Sequence, residues 1–486
     1  MRIQHSVKVR ALLIVSIIPF FCWTLQTSFR SIPVSNSHQE SSTIDNVLEF
    51  YGIHLTFIPQ KSVHSTVHCV GDNFRHDAWY YRSCEFRNLC FNITDQQFFL
   101  ASTPEQMKLE EALSMRRNKY GFSSTTVQNS GVAYKVLQHT FFDTHFAGPS
   151  WFPTLKPFPH NGYYEFPSNI IFIPLRSLNV NVLNPGHLIW DYFLPIFTLL
   201  SMFGLENSKI PFIIDHNRHC TQIKDSINGC FSRINKFLPL LGYSAVWIEN
   251  SAAMSNLSLL LNPDLSDSVC FPYSVAGTGM LHDHGRGKHG NLITDYQNVR
   301  NIGRGPELFR FRKFMLRNIG VTENHNKREL FRIVVSMNSS NYPSRRQEFK
   351  KQRTKLEDEL GNQEVIIQPV VLASLSLKDQ ISTVSQASVF ITVMGGNSVF
   401  ATFLPRGSSL IIFFNDKDEW IYNVSKELQS KETRVRPMMM DWDLLNNAAY
   451  LNVHWFPMSI MDEESELQIL IATIQNEISK KKKIAN

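Results

Sequence analysis

The sequence is short of concentrated charge. Its 48 Lys and Arg stand against 42 Asp and Glu over 486 residues, a net +6, and only 19% of positions are charged. The excess is not gathered into a patch, and no arginine stripe interleaves with aromatics, so a nucleic-acid partner is not expected. The one sharp basic run, Lys480 to Lys483, reads as a solvated tail. No serine-hydrolase elbow and no P-loop is present. Gly277-Thr278-Gly279 lacks both a third glycine and a βαβ setting.

Charge is also missing between Arg10 and Arg30, and that absence is informative. The uncharged stretch 11–29, whose apolar core is Ala11 to Leu25, is just long enough to cross a thin bilayer and is preceded by Arg2, Lys8 and Arg10. Positive flanks keep that end cytosolic. A cleaved signal peptide is the alternative, but no small-x-small site follows the apolar core. The expectation is a type II signal anchor: cytosolic tail 1–10, transmembrane segment 11–29, stem 30–66, and the remainder in the lumen of the Golgi or endoplasmic reticulum.

Cysteine usage agrees with an oxidising compartment. Cys22 lies in the anchor, leaving Cys69, Cys84, Cys90, Cys220, Cys230 and Cys270, an even set. Local loops Cys84–Cys90 and Cys220–Cys230 are one pairing among about fifteen. Sequons stand at Asn92, Asn256, Asn338 and Asn423. The dense Cys, Arg and aromatic stretch Cys69 to Phe91 reads as a disulfide-stapled cap.

Beyond it, helical and extended patterns alternate, which implies parallel sheet covered by helices. Strands are expected at 169–175, 209–215, 245–248, 332–337, 365–369, 389–393 and 409–414. Helices are expected at 184–203, 231–241, 307–320, 345–360, 376–387 and 463–478. The simplest architecture is two α/β halves, 67–325 and 326–462, with 463–486 as a closing helix and basic tail packed across both.

Three constellations could carry chemistry. His187 and Asp191, four apart on an apolar helix, share one face. Either could take a proton from an attacking hydroxyl, or the two could be a buried structural pair. Arg345 and Arg346 follow a strand, as does the turn Gly395-Gly396-Asn397-Ser398 within a βαβ unit. Both therefore belong to the C-terminal edge of a parallel sheet, where ligands bind, and guanidinium forks suit a diphosphate. Asp416-Lys417-Asp418 and Asp441-Trp442-Asp443 have the Asp-x-Asp form of some metal sites, and His282, Asp283, His284 and His289 could bind zinc. Such short patterns are common by chance, and no metal is assigned.

In order, Cys84-Glu85-Phe86-Arg87-Asn88-Leu89-Cys90, Gly186-His187 through Asp191 to Pro195, Ser344-Arg345-Arg346, and Phe403-Leu404-Pro405-Arg406-Gly407 make the chain similar to family 61 glycosyltransferases. The resemblance covers roughly Cys69 to Phe414. It implies a GT-B-like α/β fold, two Rossmann-like domains facing a cleft, and inverting transfer from a UDP-sugar to a glycan or glycoprotein with no cofactor required. It further implies Asp191, or His187, as the base, and Arg345, Arg346, Gly395, Gly396, Asn397 and Ser398 around the nucleotide. The chain departs from the family at Met394-Gly395-Gly396, where His-Gly-Ala is usual. A catalytically silent glycan-binding protein of this fold, or a metal-dependent GT-A enzyme using Asp416 and Asp418, are the alternatives.

Overall fold

Two sheets carry the chain, divided between residues 277 and 331. The computed structural model describes residues 47–50, 53–59, 64–70, 83–95, 97–109, 112, 136–137, 139–140, 150–151, 153–159, 161–168, 171–177, 184–207, 212–216, 235–242, 246–249, 266–277, 303–322, 330–338, 346–361, 364–416 and 444–485. The expected anchor, 11–29, lies outside them, as do Arg345, Asp418, Asp441, Asp443, the 282–289 loop, Cys220, Cys230, Asn256 and Asn423. Among the described residues no helix is long and apolar enough to cross a membrane.

The strands before residue 278 are β1 (Val47–Phe50), β2 (Ile53–Ile58), β3 (Thr66–Val70), β4 (Ser83–Asn92), β5 (Gln97–Ala101), β6 (Val136–Leu137), β7 (His139–Thr140), β8 (Ser150–Trp151), β9 (Thr154–Lys156), β10 (Tyr163–Glu165), β11 (Ile171–Ser177), β12 (Phe212–His216), β13 (Val246–Glu249) and β14 (Ser268–Gly277). All but the β6–β8 ribbon belong to one sheet. Its centre is parallel, β10 and β11 both pairing with β14, and β12 and β13 continuing from β11. The expected stem, 30–66, contains β1 and β2, and Leu55 of β2 is fully buried.

The Cys-rich stretch is not a peripheral cap. β4 pairs antiparallel with β14 along its length and with β3 and β5 as well, and Cys84, Phe86, Leu89 and Cys90 are fully buried. Among the described residues the disulfides are Cys69–Cys84 and Cys90–Cys270, which corrects the Cys84–Cys90 loop; the Cys220–Cys230 pairing lies outside those residues. Cys84 and Cys90 lie on the same extended strand, roughly 20 Å apart at about 3.3 Å per residue, and cannot meet. Each instead faces a cysteine directly across the ladder, at Cα separations of 4.1 and 3.9 Å.

Residues 331–457 form a fully parallel sheet of β15 (Phe331–Ser336), β16 (Val365–Val370), β17 (Val389–Val393), β18 (Ser409–Phe414) and β19 (Asn452–Pro457), in the order β16-β15-β17-β18-β19. Alternation sorts the side chains onto two faces. Ile333, Val335, Ile391 and Ile411 meet the helices Lys350–Leu360 and Glu464–Ala485 on one face. Val334, Phe390, Leu410 and Ile412 meet the helix Leu377–Ser385 and the 3₁₀ helix Ser398–Phe403 on the other. Coverage on both sides explains why β17 and β18 read as unbroken apolar runs. Pro369, which cannot donate to a ladder, sits on the edge strand β16.

Two expected helices differ in detail. The helix placed at 345–360 begins at Lys350, because Phe349 has a left-handed backbone (φ +53°) that no helix interior accommodates. The closing helix packs its Leu470, Ile471 and Ile474 on the C-terminal sheet and the helix Lys350–Leu360. The helix expected at 376–387 opens on a capping box, in which Ser376 Oγ accepts from the Asp379 N–H at 3.2 Å. Residues 46–486 form one compact unit, and its largest apolar cluster draws on both halves.

Candidate functional site

In sequence order the C-terminal sheet reads 2-1-3-4-5, so the direction of winding reverses between β15 and β17. The chain leaves β15 toward one face and β17 toward the other, which opens a crevice at their C-terminal ends where α/β sheets bind ligands. The two exits are tied together there. Asn397 Nδ2 donates to Ser336 Oγ, the last residue of β15, at 3.1 Å.

The glycine turn is shaped by its own hydroxyl. Gly395 has φ +134°, a region closed to L side chains. Ser398 Oγ donates to the Gly395 carbonyl at 2.6 Å and accepts from its N–H at 3.3 Å. Ser398 is fully buried, so its part is to close the turn; Gly395, Gly396 and Asn397 are half-buried and line it. Met394 is 4% exposed and packs into the shared apolar cluster, so the side chain at this position faces the core.

Directly against the turn lies the start of the long apolar helix. A Cβ at Gly396 would stand 3.2 Å from Asn184 Oδ1 and 3.6 Å from Pro185 Cδ. Asn184 Oδ1 accepts from the Gly186 N–H at 2.9 Å, which fixes the entry. From His187 to Phe193 the helix is wound as a π-helix, and Leu194–Met202 continues as α. Pro195 supplies the reason: it lacks the N–H that an α-helical pattern would bring to the Asp191 carbonyl, so a five-residue step is favoured, as when Leu194 N–H reaches Ile189 O. His187 and Asp191 occupy this π segment, and their side chains lie outside the described set. Leu188, Ile189, Trp190, Tyr192 and Phe193 are all buried.

Three side chains that sequence reasoning missed grip the 3₁₀ helix after the turn. Trp190 Nε1 donates to Thr402 Oγ1 at 3.1 Å, Tyr450 Oη donates to the Thr402 carbonyl at 2.9 Å, and Arg312 Nε donates to the Phe403 carbonyl at 3.1 Å. Arg312 comes from the basic amphipathic helix Gly305–Asn318 and is fully buried. Nothing in its sequence setting marks it from the solvated arginines beside it. Together these bonds join the π-helix, the connecting helix and the glycine turn into one body.

The remaining predicted residues are placed less centrally. Arg346 is exposed, after β15 and ahead of its helix. Asp416, beyond β18, accepts from the backbone and hydroxyl of Ser459 with its two oxygens, linking the ends of β18 and β19. Among the described residues no group of three metal-ligating side chains gathers. Asn92 Nδ2 is engaged by Asp267 at 2.7 Å, and Asn338 stands just past β15 with its Oδ1 buried.

Comparison with known proteins adds little. No family model matches, and no curated protein matches. Among the solved structures that resemble the chain weakly are two glycosyltransferases. A glycosyl transferase of family 9 from Veillonella parvula shares 10% identity at a TM-score of 0.23, over 57% of this chain and 95% of its own. The dodecameric iron-containing heptosyltransferase TibC, solved with ADP-D-beta-D-heptose, shares 10% identity at 0.21, over 72% of this chain and 76% of its own.

Proposed function

We propose that the chain is an inverting glycosyltransferase that moves a sugar, a pentose or N-acetylglucosamine, from a UDP-sugar to a hydroxyl of a glycan or glycoprotein. The carrying observation is the meeting at the β15–β17 crevice of the glycine turn, the exit of β15 through Ser336 and Asn397, and the entry of the helix bearing His187 and Asp191 through Asn184. In this reading the two halves are Rossmann-like and GT-B-like, the C-terminal one holding the nucleotide and the N-terminal one the acceptor.

Asp191, or His187 in its place, takes the proton from the acceptor hydroxyl as its oxygen attacks the anomeric carbon. The bond from that carbon to the diphosphate breaks with its electron pair, and UDP leaves. Arg345 and Arg346 meet the charge that grows on the diphosphate oxygens, which guanidinium forks bond bidentately. Gly395, Gly396 and Asn397 let the nucleotide approach the backbone, and no metal is required. The two ladder disulfides suit an oxidising lumen and support the anchored, single-pass placement in the Golgi or endoplasmic reticulum.

The test is UDP release by the purified full chain from a panel of UDP-sugars with glycan acceptors, with and without chelator. Release that is lost in Asp191→Asn, or in His187→Gln, and that survives chelation supports the reading. No turnover with any donor sinks it, and loss on chelation would favour a metal-dependent enzyme. The departure at Met394 favours one second reading, a silent glycan-binding protein: methionine stands where the resembled family has histidine. Glycan binding without UDP release would select it.

A further inference from the structure

The chain between β15 and its helix is bracketed by two left-handed residues, Asn338 (φ +50°) and Phe349 (φ +53°). Among the described non-glycine residues only Asn88 shares this conformation. Asparagine tolerates it; for phenylalanine it is a true outlier. Phe349 is held there by burial, 2% exposed with its ring 5.4 Å from that of Phe413. Strain kept in place by packing, at the edge where a parallel sheet binds ligands, points toward function.

Two polar atoms in the same corner lack partners. Asn338 Oδ1 is buried with no donor, its own N–H being spent on the Gln347 carbonyl at 2.7 Å. Arg353 Nε is buried with no acceptor. Its Nη1 reaches only the Met337 sulfur, a weak acceptor, at 3.4 Å, and its Nη2 stands 3.8 Å from Glu357 Oε1, beyond hydrogen-bond length. The Arg353 side chain is 31% exposed, but a buried Nε–H without an acceptor is costly to the fold. Met337 and Ser336 connect it to Asn397 across the crevice.

We propose that Arg353 and Asn338 form the polar end of a nucleoside-diphosphate site. Arg353 takes the phosphate oxygens, and Asn338 Oδ1 accepts from a hydroxyl or ring N–H of the nucleoside. The assignment rests on the donor-sugar reading above and adds to it an arginine that lies within a helix, apart from the Arg345-Arg346 pair.

Titration calorimetry of the full chain with UDP, uridine and inorganic pyrophosphate tests it. Arg353→Met should weaken UDP and pyrophosphate by about 10- to 100-fold, the range of a charge-assisted bond, and leave uridine unchanged. Arg353→Lys, which keeps the charge but not the fork, should recover part of the loss. Asn338→Gly, which keeps the backbone, should weaken uridine and spare pyrophosphate. Unchanged UDP affinity in Arg353→Met overturns this assignment alone, as does an equal fall for all three probes, which marks a folding defect. Wild-type binding of pyrophosphate without any nucleotide keeps the Arg353 anion site and sinks the UDP donor. Binding of none of the three overturns both.

Discussion

At the scale of single residues, the informative positions are those where the backbone leaves its ordinary path. Asn88, in the middle of the Cys-rich strand, has φ +55° and donates Nδ2 to the His64 carbonyl at 3.0 Å. It stands with Pro272 between the pairs Arg87↔Tyr273 and Leu89↔Phe271. Before it Cys84 and Phe86 enter the inner apolar cluster; after it Leu89 and Phe91 do, so the inward parity of the strand changes at this residue. Asn88→Gly should therefore keep stability within about 1 kcal/mol, losing one exposed hydrogen bond. Asn88→Val should lose about 2 kcal/mol to the left-handed strain. Urea midpoints of the two variants check the difference; equal losses would assign the role to the side chain. The motif around Asn88 was legible in the sequence, but the change of parity was not, because strand periodicity alone assumes a regular pleat. Arg312 was illegible for a related reason: on an amphipathic pattern a buried guanidinium looks like a solvated one, and the burial of Arg353 Nε alone leaves even less trace.

At the scale of elements, the strands and helices of the C-terminal half were readable almost throughout. Their apolar runs are short, β-branched and bounded by Gly, Pro or a capping box, and both faces are covered, so local pattern and burial agree. The cysteine pairing was not readable, since which strand lies beside β4 depends on β14, nearly 180 residues away. That separation has an energetic consequence. In the chain-entropy picture the Cys90–Cys270 link, closing 180 residues, stabilises by about 5 kcal/mol, and Cys69–Cys84, closing 15, by about 3 kcal/mol. A Cys90→Ala/Cys270→Ala variant should unfold at lower denaturant than Cys69→Ala/Cys84→Ala. The reverse order would show that strain or residual structure, and not loop closure, governs these bonds.

At the scale of the whole molecule, the closing helix is held to the sheet by an acidic side chain buried at the β18–β19 edge. Glu477 accepts from Ser409 Oγ at 2.8 Å, Asn452 Nδ2 at 3.1 Å and Lys480 Nζ at 2.7 Å, with His454 Nε2 at 3.6 Å. Burial alone would raise the Glu477 pKa, but the bonds from Lys480 and Ser409 bring it below the usual 4.5. Burial lowers His454 below 6.5, and the pull of Glu477, already neutralised by Lys480, does not restore it. Both folded values lie below the unfolded ones, so both contributions are complete above pH 6.5. That of His454 is lost as pH falls below 6.5, and that of Glu477 as it falls below 4.5. Protection factors of the amides in residues 464–485, which remove the intrinsic slowing of exchange in acid, should fall on acidification from pH 7 to 5, and His454→Phe should remove that first step. Protection factors that do not change with pH would refute the coupling.

By itself the sequence determined the α/β alternation, the buried strands and the glycine turn, because each follows from local periodicity and backbone chemistry. Only the tertiary structure decided that the turn lies at the reversal point of the sheet, that Asn184 and Trp190 dock the π-helix onto it, and that Asn338 Oδ1 and Arg353 Nε are buried without hydrogen-bond partners. Those are contacts between segments tens to hundreds of residues apart, and side-chain satisfaction exists only once the chain is folded.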